Sequence, residues 1–276
     1  MQARTLALVG ATGGAGTTRT AVELAALGAR DGRDVAVVDA AFTTQGLSEY
    51  VSGRIGTDLT ALLTDETDAS LSAATYPMDV GGGDGNRGGG NGEDGDGTAP
   101  DGATGLPGRA DAVPARAPFE RVARAETAEA GRKLERRIDE AATAYDAVVV
   151  DTAPIGSNAA VAAVTAADRV EAVTPATAHG RDALQRLRGR VADVGGSVDG
   201  AVAVARIGAS DAERDGGGGG ADNLLPAVDP AVRSAPEAAT GTGAYVEALA
   251  ETYERAFDAA LGIEFEEPGL VDRIRS

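Results

Sequence analysis

Five short apolar runs set the first limit on what this chain can fold into: Leu6-Ala7-Leu8-Val9, Val35-Ala36-Val37-Val38, Ala147-Val148-Val149-Val150, Val170 to Val173, and Ala201 to Ala205. None alternates with polar residues, so each reads as a strand buried on both faces, as in a parallel sheet covered by helices. The stretches between them carry helical periodicity. Thr18 to Arg30 is rich in helix formers and stops near Gly32. Leu134, Ile138 and Ala141 fall on one face, as do Leu184, Leu187, Val191 and Val194 of the segment from Asp182. Val246, Leu249, Tyr253, Phe257 and Leu261 form a final apolar stripe, read as one helix. Strands alternating with helices predict an α/β fold with a doubly wound, mainly parallel sheet flanked by helices.

Two segments depart from this pattern. Residues 79–117, centred on GGGDGNRGGGNGEDGDG, hold too little apolar surface to offset the entropy of ordering, and are expected to be a disordered insertion. A shorter glycine-rich loop is expected at 215–222. Strand–helix units continue on both sides of each, so residues 1–276 read as a single domain. The 276 residues contain no cysteine, which excludes disulfides and thiolate metal sites. No apolar run approaches the ~18 residues of a membrane span, and neither an h-region nor a cleavage site follows Met1, so a cytoplasmic protein is expected.

Formal net charge is −18, and of 25 basic residues only Lys133 is a lysine. An acidic, lysine-poor chain of this kind resembles proteins of salt-in halophiles, where surface carboxylates keep the molecule dispersed. Such a charge also argues against nucleic acid, whose phosphates need clustered lysine and arginine.

Three motifs carry chemistry. Gly10-Ala11-Thr12-Gly13-Gly14-Ala15-Gly16-Thr17-Thr18 lies between the first strand and a helix. Glycines there let the backbone N–H groups curl inward at the positive end of a helix dipole, a geometry that receives phosphate. The runs ending in Asp39 and Asp151 each put a carboxylate at the carboxyl end of a strand, where it can hold a Mg²⁺-bound water beside a nucleotide. Singly, each Asp reads equally well as a cap for the following loop.

Taken together, the GGAGTT loop, VAVVDA, YDAVVVDTAP and AVTAADRVEAVT resemble the deviant-Walker P-loop ATPases of the ParA/MinD family, and the later VAVARIG and LLPAVDPAV segments resemble its C-terminal half. The resemblance implies a P-loop NTPase fold, with Gly13, Gly14, Ala15, Gly16, Thr17 and Thr18 binding nucleotide. It implies that Thr18, Asp39 and Asp151 bind Mg²⁺, and that Asp39 is the one possible catalytic residue. It also implies ATP as ligand and a nucleotide-sandwich dimer. Three family positions differ. Thr12 stands where the signature lysine is expected, Thr17 where the invariant P-loop lysine is expected, and Ala41 where a second carboxylate is expected. The expectation is therefore weak ATP and Mg²⁺ binding, little or no hydrolysis, and an adaptor or regulator role in cellular spatial organisation or partitioning. The protein would act alone, as a homodimer, or as a heterodimer with an intact paralogue.

Two other readings stay open. One is an active partitioning ATPase in which Arg19 replaces a lysine. The other is an NAD-binding Rossmann protein, since Gly10, Gly13 and Gly16 satisfy GxxGxxG and Asp39 could accept the ribose hydroxyls. The Tyr-x-x-x-Lys pair of short-chain dehydrogenases is absent, because Glu129 lies four residues before Lys133. His179, the only histidine, reads as a surface residue at a helix start. The tail Leu270 to Ser276 reads as a frayed terminus and not as a membrane anchor.

Overall fold

The computed structural model describes residues 4–65, 69–80, 105–208, 220–263 and 265. Its strands are β1 (Arg4–Gly10), β2 (Asp34–Asp39), β3 (Tyr76–Pro77), β4 (Arg109–Val113), β5 (Ala147–Thr152), β6 (Arg169–Pro175), β7 (Gly200–Val204) and β8 (Asn223–Leu225). They form an eight-stranded sheet in the order β3-β4-β2-β5-β1-β6-β7-β8. All neighbours are parallel except β3 and β4. The helices are α1 (Thr17–Arg30), α2 (Leu59–Thr64), α3 (Phe119–Ala125), α4 (Ala128–Ala144), α5 (Asn158–Ala166), α6 (Ala178–Asp193) and α7 (Ala244–Phe257). The expected doubly wound α/β sheet is what the chain forms.

Side chains on successive strand residues point to opposite faces, and this divides the apolar runs between two layers of core. Leu6, Leu8, Val35, Val37 and Val149 pack under α1 and α7. Val38, Val148 and Val150 face α4 and α5, while Ala7, Val9 and Ala172 face α5 and α6. The predicted helical stripes are the buried faces. Leu134, Ile138 and Ala141 are buried in α4, and Leu184, Leu187 and Val191 in α6. Both helices open on a threonine cap: Thr127 accepts from the Ala130 N–H, and Thr177 from the Gly180 N–H. Gly28 lets α1 approach its neighbours, because a Cβ there would lie 2.7 Å from Val35 Cγ2 and 2.9 Å from the Tyr253 hydroxyl.

The structure corrects two expectations. Residues 109–113, placed in a disordered insertion, are instead the strand β4, with Ala110, Ala112 and Val113 buried and Ala115 buried just beyond. Arg-Ala-Asp-Ala-Val is too short and too polar to declare itself. It gains its order by pairing with β2 and by burying Asp111, whose Oδ2 accepts the Tyr145 hydroxyl at 2.7 Å. Val80, at the other end of that segment, is buried too. Residues 81–104 and 215–219 lie outside the described residues, and Asp222 at the end of the second segment caps the Ala201 N–H at 2.8 Å. The second correction concerns Leu261. The last helix ends at Phe257, where Asp258 takes a left-handed conformation, so Leu261 is not on the helix although it packs against the same core.

Candidate functional site

Because β5 lies between β2 and β1, the carboxyl ends of these three strands converge beside the start of α1. The loop that follows β1 is tied to the sheet where the Ala11 N–H donates to the Val173 carbonyl at 2.8 Å. Gly14 (φ 69°) and Gly16 (φ 95°) are left-handed, a conformation that glycine adopts at little cost. Gly16 is the N-cap of α1, and no acidic side chain lies in the first turn. The positive end of a 14-residue helix therefore meets a turn of backbone amides, which is a cradle for an anion.

Thr18, in the first turn of α1, donates its hydroxyl to Asp151 Oδ2 at 2.6 Å. The other oxygen, Asp151 Oδ1, is buried with no partner among the described residues. Asp39 stands directly beside it, since residues 39 and 151 are paired in the β2–β5 register. Its carboxylate accepts from the Ala41 N–H at 3.0 Å and the Ala115 N–H at 3.3 Å. Both aspartates are fully buried. Burial pushes both carboxyls above the ordinary range, and the Asp151 charge raises Asp39 further, against the lowering effect of its backbone N–H partners. The loop after β2 covers the pair: a Cβ at Gly46 would lie 3.3 Å from Thr18 Oγ1.

A hard divalent cation needs oxygen ligands. The Thr18 hydroxyl and the orphaned Asp151 oxygen fit that need, whereas Asp39 is committed to backbone N–H groups. Among the described residues no cluster of three His, Cys, Asp or Glu side chains could hold a metal unaided. That suits Mg²⁺, which takes one or two protein ligands and completes its shell with phosphate and water. The fold thus brings Gly13, Gly14, Ala15, Gly16, Thr17 and Thr18 together with Asp151 and Asp39.

Arg19, Lys133 and His179 have their contacts elsewhere. Arg19 turns away from the cradle: its Nε meets Glu23 Oε1 at 2.5 Å, and its terminal nitrogens donate to the carbonyls of Asp229, Ala231 and Ser234. Its side chain is only 14% exposed. Lys133 belongs to α4, 3.9 Å from Glu129, and His179 is exposed at the start of α6.

Two features escaped the sequence reading. A cavity of about 480 Å³ opens against Gly14, Ala15 and Gly16, walled by Val204, Val228, Pro230 and Tyr245. At its rim Arg206 Nη2 donates to the Gly14 carbonyl at 3.0 Å. No local pattern could reveal this contact, because it joins the ends of a loop and a strand far apart in the chain. Among the described residues, no helix is long and apolar enough to cross a membrane.

No protein-family model matches the chain, and no curated protein does. Solved structures do. The cell division ATPase MinD of Pyrococcus furiosus superposes with a TM-score of 0.66 at 19% identity, over 91% of this chain and 97% of that one. The septum site-determining protein MinD of Pyrococcus horikoshii, complexed with Mg-ADP, gives 0.65 at 19% identity, over 92% and 94%. A complex of a Cyanothece McdA variant with ATP gives 0.65 at 15%, over 95% and 99%. The strand order agrees with this likeness and departs from the Rossmann order 3-2-1-4-5-6, in which β1 adjoins β2; here β5 intervenes. A strand–loop–helix cradle, two strand-end aspartates on neighbouring strands and a likeness that covers more than nine-tenths of the chain give it the fold of the MinD- and McdA-type P-loop ATPases.

Proposed function

We propose that this chain is a ParA/MinD-like nucleotide-binding protein that keeps the phosphate cradle and the Mg²⁺ oxygens but lacks the cations and the carboxylate for rapid hydrolysis. It acts as a nucleotide-responsive adaptor or regulator, alone or paired with a second, intact protein of the same fold. The observation that carries this reading is the geometry around Thr18. Its hydroxyl and the free Asp151 oxygen are poised beside left-handed Gly14 and Gly16, while Thr12, Thr17 and Ala41 supply no charge. Each missing charge-assisted phosphate contact costs ~1.5–3 kcal/mol of binding, so affinity falls by roughly ten-fold or more per lysine. Hydrolysis falls further, since phosphoryl transfer rests almost wholly on positioning and electrostatic stabilisation. When bound, Mg²⁺ would offset phosphate charge; Thr18 and Asp151 would orient it.

In molar KCl the protein should bind ATP in calorimetry only when Mg²⁺ is present, release no phosphate above background, and sediment identically with and without ATP. Turnover near roughly one per minute, with ATP-driven dimerisation, would instead establish the active-ATPase reading.

Asp151→Asn separates function from stability. Mg²⁺-dependent nucleotide binding should be abolished in this variant. In metal-free buffer at pH 8, however, its melting temperature should rise by roughly 2–4 °C, because one of two buried, adjacent negative charges is gone. The sign follows from the raised carboxyl pKa values of Asp39 and Asp151. The unfolded chain gives up these protons above about pH 4 while the folded chain retains them, so stability present at low pH is lost as the pH rises. A pH series of melting curves checks this: the parent should lose stability above pH 4 more steeply than Asp151→Asn.

A further inference from the structure

We propose that residues 43–46 form a lid over the Thr18–Asp151 pair and that the Gln45 side chain latches it shut against Ala117, so that Mg²⁺ and nucleotide enter only after the latch opens. The inference rests on the nucleotide-binding reading above and adds a gate to that site.

The oxygens suited to a metal are covered. Asp39 and Asp151 are fully buried, and the orphaned Asp151 Oδ1 is out of reach of solvent. A ligand can meet such an atom only if something above it moves. Gly46 is the cover: a Cβ there would lie 3.3 Å from Thr18 Oγ1, 3.5 Å from its Cγ2 and 3.7 Å from its Cβ. The cover is short and its ends are fixed. Phe42 and Leu47 are buried on either side of it, while Thr43 and Thr44 between them are exposed. Most of its bonds are local: the Thr44 and Gln45 N–H groups donate to the Ala41 carbonyl at 3.0 Å, and the Ser48 hydroxyl donates to the Gln45 carbonyl at 2.9 Å. Four residues between two apolar anchors can lift without disturbing the sheet.

Gln45 is the fastening. Its side chain pairs twice with the backbone of Ala117: Nε2 donates to the carbonyl at 2.9 Å, and Oε1 accepts the N–H at 2.7 Å. Among the described residues these are the only hydrogen bonds from residues 43–46 to a distant segment. Ala117 lies in the connection between β4 and α3, which also sends the Ala115 N–H to Asp39 Oδ2 at 3.3 Å. One connection thus grips both the lid and an aspartate beneath it. Gln45 reaches Ala117 from a left-handed backbone, φ 52° and ψ 32°, a conformation unfavourable for a residue with a Cβ. The paired carboxamide offsets that cost, so the closed lid depends on these two bonds. Two hydrogen bonds between neutral groups shift a two-state equilibrium by roughly ten-fold or more. A ligand that needs the open state is held back by the fraction that is open.

The test compares the full chain with Gln45→Gly and Gln45→Asn. Glycine and asparagine both accept a left-handed backbone, and neither can bridge to Ala117: one has no side chain, and the other is a methylene too short. Without ligand, hydrogen exchange at the Ala117 N–H, followed by NMR, should quicken about ten-fold or more in both variants, while exchange in the central strands stays as in the parent. The second measurement is rapid mixing with a fluorescent ATP analogue and Mg²⁺ in molar KCl. The parent's association rate should level off at high nucleotide, at the rate of lid opening, and this plateau should rise about ten-fold or more in both variants. Association at the same rate in parent and variants, or exchange at Ala117 unchanged by loss of the longer carboxamide, overturns the latch. Failure of parent and variants alike to bind the analogue removes the nucleotide-binding reading, and the gate with it.

Discussion

The triple variant Thr12→Lys, Thr17→Lys, Ala41→Asp should release phosphate at least about a hundred-fold faster than the parent, the effect expected when even one preorganised electrostatic contact to a developing charge is regained. The scaffold for such a gain is present. Gly14 and Gly16 already hold the left-handed turn, and Thr18 and Asp151 are already joined at 2.6 Å. Thr17 begins α1, where a lysine side chain can reach back along the cradle. Ala41 is buried and its N–H is bonded to Asp39, so Ala41→Asp adds a third carboxylate to a crowded place and should lower stability in the metal-free protein. Single variants separate the roles. Thr17→Lys alone should tighten nucleotide binding roughly ten-fold with little turnover. Rates that stay at the parent level in a triple variant that binds nucleotide tightly would mean that the loop over Thr18, and not the missing charges, prevents hydrolysis.

Glu23→Ala should be the most damaging single change to the fold, costing about 3–5 kcal/mol and lowering the melting temperature by roughly 10 °C. Glu23 is fully buried in the middle of α1. Its carboxylate meets Arg19 at 2.5 Å and accepts the N–H groups of Glu237 and Ala238 at 3.0 and 2.8 Å. Arg19 in turn holds three carbonyls of the 229–234 segment, and Arg30 holds the Gly241 carbonyl at 2.5 Å. Three charged side chains of one helix thus fasten the segment between β8 and α7. Alanine at 23 strands a nearly buried guanidinium and leaves two amides without acceptors. Glu23→Gln, which can still accept, should cost clearly less. The double variant Arg19→Met, Glu23→Leu should recover part of the loss, because an apolar pair often replaces a buried ion pair at little cost. Val228 and Pro230 belong to the same segment and wall the cavity, so Glu23→Ala should also weaken nucleotide binding where folded protein remains.

The sheet, the phosphate cradle and the strand-end aspartates were all legible in the chain before folding, because each rests on local physics. A run such as Val35 to Val38 can be buried on both faces only in a covered parallel strand, and glycines at a strand-to-helix turn leave amides free for an anion. That Thr12, Thr17 and Ala41 carry no charge is likewise read directly from the chain. Other features exist only once distant segments meet. β4 is a strand because β2 offers it an unpaired edge. Asp39 and Asp151 lie side by side because β5 inserts between β1 and β2. Arg19, a candidate cation in the sequence, and Arg206, which the sequence did not single out, are sorted by what the distant chain brings to them. Arg19 meets Glu23 and a ring of carbonyls, whereas Arg206 meets the rim of the cradle. A long side chain takes the partner that best compensates its desolvated charge, and that choice is made by packing between segments some two hundred residues apart, which no local pattern encodes.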